Sequence, residues 1–348
     1  MTARVGIIGA TGYTGMELIR ILLRHPEADL TYASSRRWAG KHLFEAFPAL
    51  SGQTDLRFRA LDPAEAALES DLVFVCLPHG GAMDTSAALM EKGVRTIDLS
   101  ADFRLREREV YEEWYGPHSQ AQLLSAAVNG FPELFRGEIC DALLVANPGC
   151  YPTSIILGLV PLVEKGLLKT NSIIADCKSG VSGAGREPKD NLHFPEVEGN
   201  FSAYGIAGVH RHTPEIDQEL TRVGGMEVKV TFSPHLLPVS RGIFSTIYAE
   251  PADSLDEEAV CDLYRERYGD EPFVRIRENQ EPLPTLKEVR GTNMCIIAPR
   301  IDRRNGKVII ISCLDNLVKG ASGQAVQNMN VMLGLPETLG LLDLPLIP

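Results

Sequence analysis

Residues 4–23 read RVGIIGATGYTGMELIRILL, and this stretch decides the fold. Arg4 to Ile8 is a short run of the kind that forms a buried strand, and Met16, Leu18, Ile19, Leu22 and Leu23 recur at helical spacing until His25-Pro26 stops them. Between them lies the turn from Gly9 through Gly12 to Gly15. In this context a glycine motif carries weight: glycines let the main chain approach a pyrophosphate at a helix start whose N–H groups and dipole attract negative charge. The spacing Gly-x-x-Gly-x-x-Gly is a variant of Gly-x-Gly-x-x-Gly. A tight turn without a ligand is the competing account, and the flanking strand and helix disfavour it.

Outward from this unit, Leu30 to Ser34, Leu72 to Leu77, Thr96 to Leu99 and Ala142 to Asn147 read as further strands, which with the helical patterns between them indicate parallel βαβ units. Beyond Pro152, Ile155, Ile156, Leu159, Val160, Leu162 and Val163 mark a helix. Strands then follow at Ile173 to Lys178, Val228 to Ser233, Ile243 to Ala249, Met294 to Ala298 and Val308 to Cys313, with long loops between them, which favours a mixed, largely antiparallel sheet. The expected fold is α/β: a Rossmann-like doubly wound parallel sheet over residues 1–149, then an α+β substrate and dimerisation domain over 150–319. A C-terminal helical segment, about 320–348, is expected to pack back on the first domain. The length, 348 residues, suits two domains at roughly 100–200 residues each.

Apolar residues make up 44% of the chain and charged residues 23%, enough for a substantial core and unlike a disordered chain. The net charge of -12 opposes non-specific binding to nucleic acid or to an anionic membrane, so neither is expected as a partner. No apolar run approaches the roughly 18 residues of a membrane helix, and no signal peptide precedes the first strand, so the expectation is a cytoplasmic protein.

A dinucleotide site that prefers NAD carries an acidic residue about 20 residues after the glycine turn. Here Ser34, Ser35, Arg36 and Arg37 stand in that place, which suits a 2′-phosphate and therefore NADP (NADPH). Pro78 and His79 open a second strand-end turn on the cofactor side. The seven cysteines are widely spaced, with no Cys-x-x-Cys pair, and read as free thiols with no metal site. Cys150, in NPGCYPT between a buried strand and a helix, is the one with reactive surroundings: a helix N-terminus stabilises a thiolate. A thiol nucleophile needs a proton partner. HRHTPE at 210–215 supplies His212 to shuttle the proton and Glu215 to fix its tautomer. Thiol, imidazole and nicotinamide together point to hydride transfer at the acyl oxidation level through a thioester.

GIIGATGYTG, SADFRL, NPGCYPT, KSGVSGAGR, HRHTPEI, HLLPVSRG and DNLVKGASGQAVQNMN, in this order across nearly the whole chain, resemble the N-acetyl-γ-glutamyl-phosphate reductases of arginine biosynthesis, which are related to aspartate-semialdehyde dehydrogenases. The resemblance implies an NADP-dependent oxidoreductase, a homodimer or homotetramer, that reduces N-acetyl-γ-glutamyl phosphate, an acyl phosphate, to the semialdehyde. It implies Cys150 as nucleophile and His212 as acid/base, with Glu215 in support. Gly9, Thr11, Gly12, Tyr13, Thr14 and Gly15 match the diphosphate loop; Ser34, Ser35 and Arg37 lie in the 2′-phosphate region. Ser179, Gly180 and Gly183 match the loop beside the nicotinamide, and Asn316 its carboxamide side. Arg104, Arg211 and Arg241, with Asn147 and His210, are the candidates for binding substrate, since guanidinium forks suit phosphate and carboxylate. Reductases of N-acetyl-aminoadipyl or aspartyl phosphate are the enzymatic alternatives, and an NADP-sensing regulatory protein the non-enzymatic one.

Overall fold

The computed structural model describes residues 2–347. The chain divides into two compact units: one runs to Pro148 and includes Ala321–Leu342, the other comprises Gly149–Gly320 and the segment from Asp343. Through the first unit run β1 (Ala3–Ile8), α1 (Tyr13–Leu22), β2 (Ala28–Ala33), α2 (Leu43–Ala46), α3 (Pro63–Glu69), β3 (Leu72–Val75), α4 (Met83–Glu91), β4 (Arg95–Asp98), α5 (Arg108–Tyr115), β5 (Val128–Asn129), α6 (Pro132–Asp141) and β6 (Leu144–Ala146). The strands form one sheet in the order β2-β1-β3-β4-β6-β5, with every pair parallel. Val5, Ile7, Ile8 and all of β3 are buried, as a sheet covered on both faces requires. The strand expected from Leu72 to Leu77 stops at Val75, so Cys76 and Leu77 already belong to the turn. The two residues of β5, at the sheet edge, give no sequence pattern and were not anticipated.

The second unit contains α7 (Cys150–Glu164), β7 (Ile173–Gly180), α8 (Phe194–Val197), β8 (Ser202–Ala203), α9 (Thr213–Gly224), β9 (Val230–Leu237), β10 (Ile243–Ala249), α10 (Glu257–Tyr268), β11 (Val274–Ile276), β12 (Cys295–Asp302) and β13 (Lys307–Leu314). Its sheet has the order β11-β12-β13-β10-β7-β9-β8. Pairs β11–β12 and β7–β9 are parallel and the other four antiparallel, so the sheet is mixed, as expected. α7 begins at Cys150, two residues before the expected start, and every residue from Tyr151 to Val163 is buried. A helix apolar on all sides belongs in a core. The helices α9 and α10 fall where long loops were expected.

Two features hold α7 in the core. Ser154 Oγ lies within hydrogen-bond distance of Ser245 Oγ (2.8 Å) and Ser312 Oγ (3.0 Å), which ties the helix to β10 and β13. Pro161 lacks the N–H that the Leu157 carbonyl four residues back would otherwise accept. The Tyr268 hydroxyl donates to that carbonyl (2.7 Å), and the Tyr264 hydroxyl donates to the next one, Gly158. α10 thus supplies, through Tyr268, the bond that proline removes, and through Tyr264 a second anchor beside it.

The chain closes with α11 (Gly323–Met332), which belongs to the first unit and is buried along its whole length. Its polar residues are paired there: Gln324 Nε2 and Asn328 Nδ2 donate to the Gly130 carbonyl at 2.8 and 3.0 Å, and Asn330 Oδ1 lies 3.1 Å from His25 Nε2. After Leu342 the tail lies with the second unit instead, where Leu346 N–H donates to the Arg290 carbonyl (2.9 Å).

Tyr268→Phe leaves the buried Leu157 carbonyl without its donor and is expected to lower stability by about 1–3 kcal/mol in chemical denaturation. In a Pro161→Ala background, where the helix recovers its own N–H, the same substitution is expected to cost less than half as much. Equal costs in the two backgrounds would show that the tyrosine does not replace the missing bond.

Candidate active site

In the first unit the three glycines of the turn have separate reasons to be glycine. Gly9 has φ +84°, and a Cβ there would lie 2.5 Å from the Cys76 carbonyl oxygen. At Gly15 a Cβ would come within 2.7 Å of Ala10 main-chain atoms, so this glycine lets α1 pack on the turn. At Gly12, which caps α1, the nearest protein atom is 3.9 Å away. This division, with a turn glycine, an open glycine and a packing glycine, is the one that a pyrophosphate cradle needs. The side chains behind it converge: Ser34 Oγ accepts from Gly9 N–H (3.3 Å) and Thr11 Oγ1 lies 3.1 Å from Ser35 Oγ. Tyr13 opens α1, the Thr14 carbonyl accepts from Ser322 Oγ (2.9 Å), and Arg37 is exposed over the Trp38 ring, which Lys41 also faces.

The Pro78–Gly81 turn is fastened from the next strand end. Asp102, fully buried, accepts from Gly80 N–H (2.8 Å), Ala82 N–H (3.1 Å) and the Tyr111 hydroxyl (2.8 Å). His79 Nδ1 accepts from Ala101 N–H (3.1 Å). Burial, and secondarily the Asp102 charge, pushes the neighbouring Asp98 carboxyl up to about 7. Two of the substrate candidates also serve this unit internally. Arg104 donates to the carbonyls of Asn147 (2.8 Å) and Leu99 (3.0 Å). The Asn147 amide donates to Ala321 and accepts from Asn328.

In the second unit the residues expected to perform the chemistry converge on two helix starts. Cys150 is the first residue of α7 and His212 caps α9. One oxygen of Glu215, a buried carboxylate in the first turn of α9, accepts from Gly149 N–H (2.9 Å), so it ties the two starts together. The sequence suggests Glu215 as a partner of the His212 imidazole; this bond shows that it also serves the residue before the cysteine.

His210 Nδ1 accepts from His212 N–H (3.0 Å), and its ring packs against Tyr151, Tyr204, His212 and Phe232 at centroid separations of 5.0–5.7 Å. Burial, followed by the charge of the adjacent, exposed Arg211, pushes the His210 pKa down to about 4. The Tyr204 hydroxyl donates to the Tyr151 hydroxyl (3.0 Å), which donates to the His235 carbonyl (3.3 Å). Neither tyrosine was singled out in the sequence.

Beside these, Gly180 lies against the main chain of Arg241, where a Cβ would come within 2.7 Å of its nitrogen, and a Cβ at Gly183 would lie 3.1 Å from Ser179 Oγ. Asn316 Oδ1 accepts from Gly242 N–H (2.7 Å) while its amide donates to Ser182 Oγ (3.0 Å). Gly320, also missed in the sequence, packs under the cysteine: a Cβ there would lie 2.8 Å from Cys150 Cβ. Only the close approach of the two chains marks it, and a sequence does not display that.

A cysteine at a helix start, an imidazole at a second one and a glycine cradle on a parallel sheet define the class of the semialdehyde dehydrogenases. The family model of their NAD binding domain matches residues 4–142, and that of their dimerisation domain residues 150–316. The chain is 53% identical to the N-acetyl-gamma-glutamyl-phosphate reductase of Pelotomaculum thermopropionicum, covering all of both chains, and 51% identical to that of Geotalea daltonii, covering 99% of each. It belongs to the N-acetyl-gamma-glutamyl-phosphate reductase family. Among solved structures, aspartate semialdehyde dehydrogenase II of Vibrio cholerae matches with a TM-score of 0.73 at 17% identity, covering 96% of this chain and 99% of that one. The Candida albicans aspartate semialdehyde dehydrogenase with NADP matches at 0.72 and 18%, with the same coverage. At these identities the likeness is one of fold.

With its pKa pushed down to about 4, His210 binds its proton more readily unfolded than folded. Its contribution to stability is therefore complete above its ordinary pKa of about 6.5 and is lost as pH falls toward 4. Nitrogen-15 spectra of labelled histidine are expected to show one ring held as the neutral Nε2–H tautomer from pH 8 to below 5 and lost in His210→Gln; titration of that ring near 6.5 would contradict the packing described.

Proposed function

We propose that this chain catalyses the NADPH-dependent reductive dephosphorylation of N-acetyl-γ-glutamyl phosphate to N-acetylglutamate 5-semialdehyde and phosphate, a step of arginine biosynthesis, through a thioester on Cys150. The observation that carries this reading is the pairing of the two helix starts: Cys150 opens α7, His212 caps α9, and Glu215 bonds the residue before the cysteine. Full-length identity of 53% to a reductase of that name supports the substrate assignment.

The Cys150 thiolate attacks the acyl carbonyl, forming the C–S bond as the C–O bond to phosphate breaks and the phosphate leaves. As negative charge develops on the carbonyl oxygen, the helix start offers the N–H groups of Cys150 and Tyr151; that of Gly149 serves Glu215, and Pro152 has none. When bound, NADPH supplies the hydride that takes the thioester to the aldehyde level. His212 gives and takes the proton as the tetrahedral adduct forms and the thiolate is released, and Glu215 holds its helix against the cysteine loop. The cofactor is assigned to Gly9, Thr11, Gly12, Tyr13, Thr14 and Gly15 for the diphosphate and to Ser34, Ser35 and Arg37 for the 2′-phosphate. The turn at Pro78 and His79, and Ser179, Gly180, Gly183 and Asn316 at the nicotinamide, complete its assignment. Gly12 supports it, because nothing in the protein itself requires a glycine there.

Arg211 and Arg241 are assigned to the substrate's anionic groups, with His210 next to Arg211; Arg104 and Asn147 contribute through the loop they fasten. The active form is assigned as a homodimer or homotetramer, supported by the dimerisation-domain match and by the sheet face carrying Ile174 and Tyr248, both more than one-third exposed. A cytoplasmic location fits the reading, and no helix among the described residues is long and apolar enough to cross a membrane.

The reverse reaction tests the assignment, since the acyl phosphate is labile. With N-acetylglutamate semialdehyde, phosphate and NADP the protein is expected to form NADPH at least 100-fold faster than with aspartate semialdehyde or the aminoadipate analogue. Cys150→Ser is expected to lose at least 1,000-fold in kcat while still binding NADP. Preference for another semialdehyde would keep the chemistry and change the substrate, and no turnover with any would leave only a nucleotide-binding protein.

A further inference from the structure

Resting on the reading above, we propose that Asp315 is the positioning residue of this site. It fixes the anion-binding guanidinium of Arg241 through its carboxylate, and through its main chain it fixes the glycine that packs beneath Cys150. Asp315 lies just past the end of β13, where the sheet gives way to a π-helical turn, Val318–Ser322, and it is fully buried. A single π-turn inside or beside helical chain commonly marks a functional site.

The bonds of Asp315 go to three separate segments. Oδ1 accepts from Leu317 N–H (2.8 Å) and Val318 N–H (3.3 Å), which closes the turn locally. Oδ2 accepts from Gly291 N–H (2.6 Å) and faces Arg241 Nε at 3.4 Å. The Asp315 carbonyl accepts from Gly320 N–H (2.9 Å), and a Cβ on Gly320 would lie 2.8 Å from Cys150 Cβ and 3.2 Å from its Cα. The next residue, Asn316, grips Gly242, the residue after Arg241.

A carboxylate that only closed its own turn would need Leu317 and Val318 alone. Here a buried negative charge, held by main-chain donors on both oxygens, faces a guanidinium that is itself mostly buried. Charged hydrogen bonds at fixed donors resist displacement, so the carboxylate acts as a fixed anchor for the arginine. The same residue sets the height of Gly320, and with it the depth at which Cys150 sits. Anion capture and nucleophile placement are thereby referred to one point.

Asp315→Asn keeps the shape and one acceptor oxygen but removes the charge that faces Arg241 and sets an amide nitrogen against Gly291 N–H and Arg241, or against the N–H groups of Leu317 and Val318. In the reverse reaction the KM for phosphate or for the semialdehyde is expected to rise at least ten-fold, with the Kd for NADP changed less than two-fold. In an Arg241→Lys background the same substitution is expected to change KM less than three-fold, because the partner through which it acts is already altered. An unchanged or lower KM, or full additivity in the double mutant, overturns the proposal.

Gly320→Ala is the second variant and stands even where Asp315→Asn fails to fold. It is expected to lower kcat and the rate of Cys150 alkylation by iodoacetamide at least five-fold with KM near the wild-type value, exposed Cys140 serving as the internal reference. Unchanged alkylation overturns the link to Cys150. Should wild-type protein turn over no semialdehyde, the functional reading falls. The link to Cys150, which runs through the Asp315 carbonyl that Asp315→Asn leaves in place, is then judged by alkylation in Gly320→Ala: slower alkylation upholds it and unchanged alkylation overturns it.

Discussion

The bond from Gly149 N–H to the buried carboxylate of Glu215 is the constraint on which the second unit turns. A carboxylate out of water must find charged or strongly polar partners, and a helix start must find acceptors for its first N–H groups. One contact answers both needs and registers α7 against α9. The rest of the packing makes that register rigid: α7 is buried all round, its serine faces hydroxyls on β10 and β13, the Leu157 carbonyl orphaned by Pro161 is met by Tyr268, and the Gly158 carbonyl beside it accepts from Tyr264. The cysteine therefore sits at the end of a helix buried on every side, which is where a nucleophile needs to be for its reacting atom to stay in place.

Polar groups are buried in unusual number at both ends of this design, and they occur where loops meet. In the first unit Asp102 gathers the turn after β3 while Arg104 and Asn147 gather the ends of β4 and β6. In the second, Asp315 plays the equivalent part. Strand-end loops in parallel and mixed sheets carry the ligands but have little apolar surface to hold them, so hydrogen bonds replace packing as the means of fixing them.

What the sequence disclosed follows the same line. The parallel sheet, the glycine turn and the helix behind Cys150 were legible because each has its own local signature: period, punctuation and a capped start. The helix α10 was not, since half of its residues are charged and only Val260, Cys261, Tyr264 and Tyr268 face inward, and its value lies in two hydroxyls whose acceptors are about a hundred residues away. Cys150, His212 and Glu215 stand out in the sequence as one group, and the acceptor role of Glu215 toward Gly149 depends on how two helices are set against each other. Arg104 and Asn147 carry the chemistry of ligand-binding residues, and the bonds they also make within the first unit depend on loop packing that the sequence does not display. Gly320 and Asp315 have no local signal at all, because close approach and burial are properties of pairs.

The placement of α11 sets the order in which the molecule can be finished. The first unit is encoded first, but the helix that covers the Gly130 carbonyl and grips Asn147 is made only after all of Gly149–Gly320 has been synthesised. At about 5–20 residues per second that interval is roughly 10–35 s. During it a parallel sheet stands with one buried flank uncovered and its polar groups unmet. The first unit thus waits for nearly all of the second to be made, and the second in turn waits for the tail after Leu342, whose Leu346 N–H meets the Arg290 carbonyl.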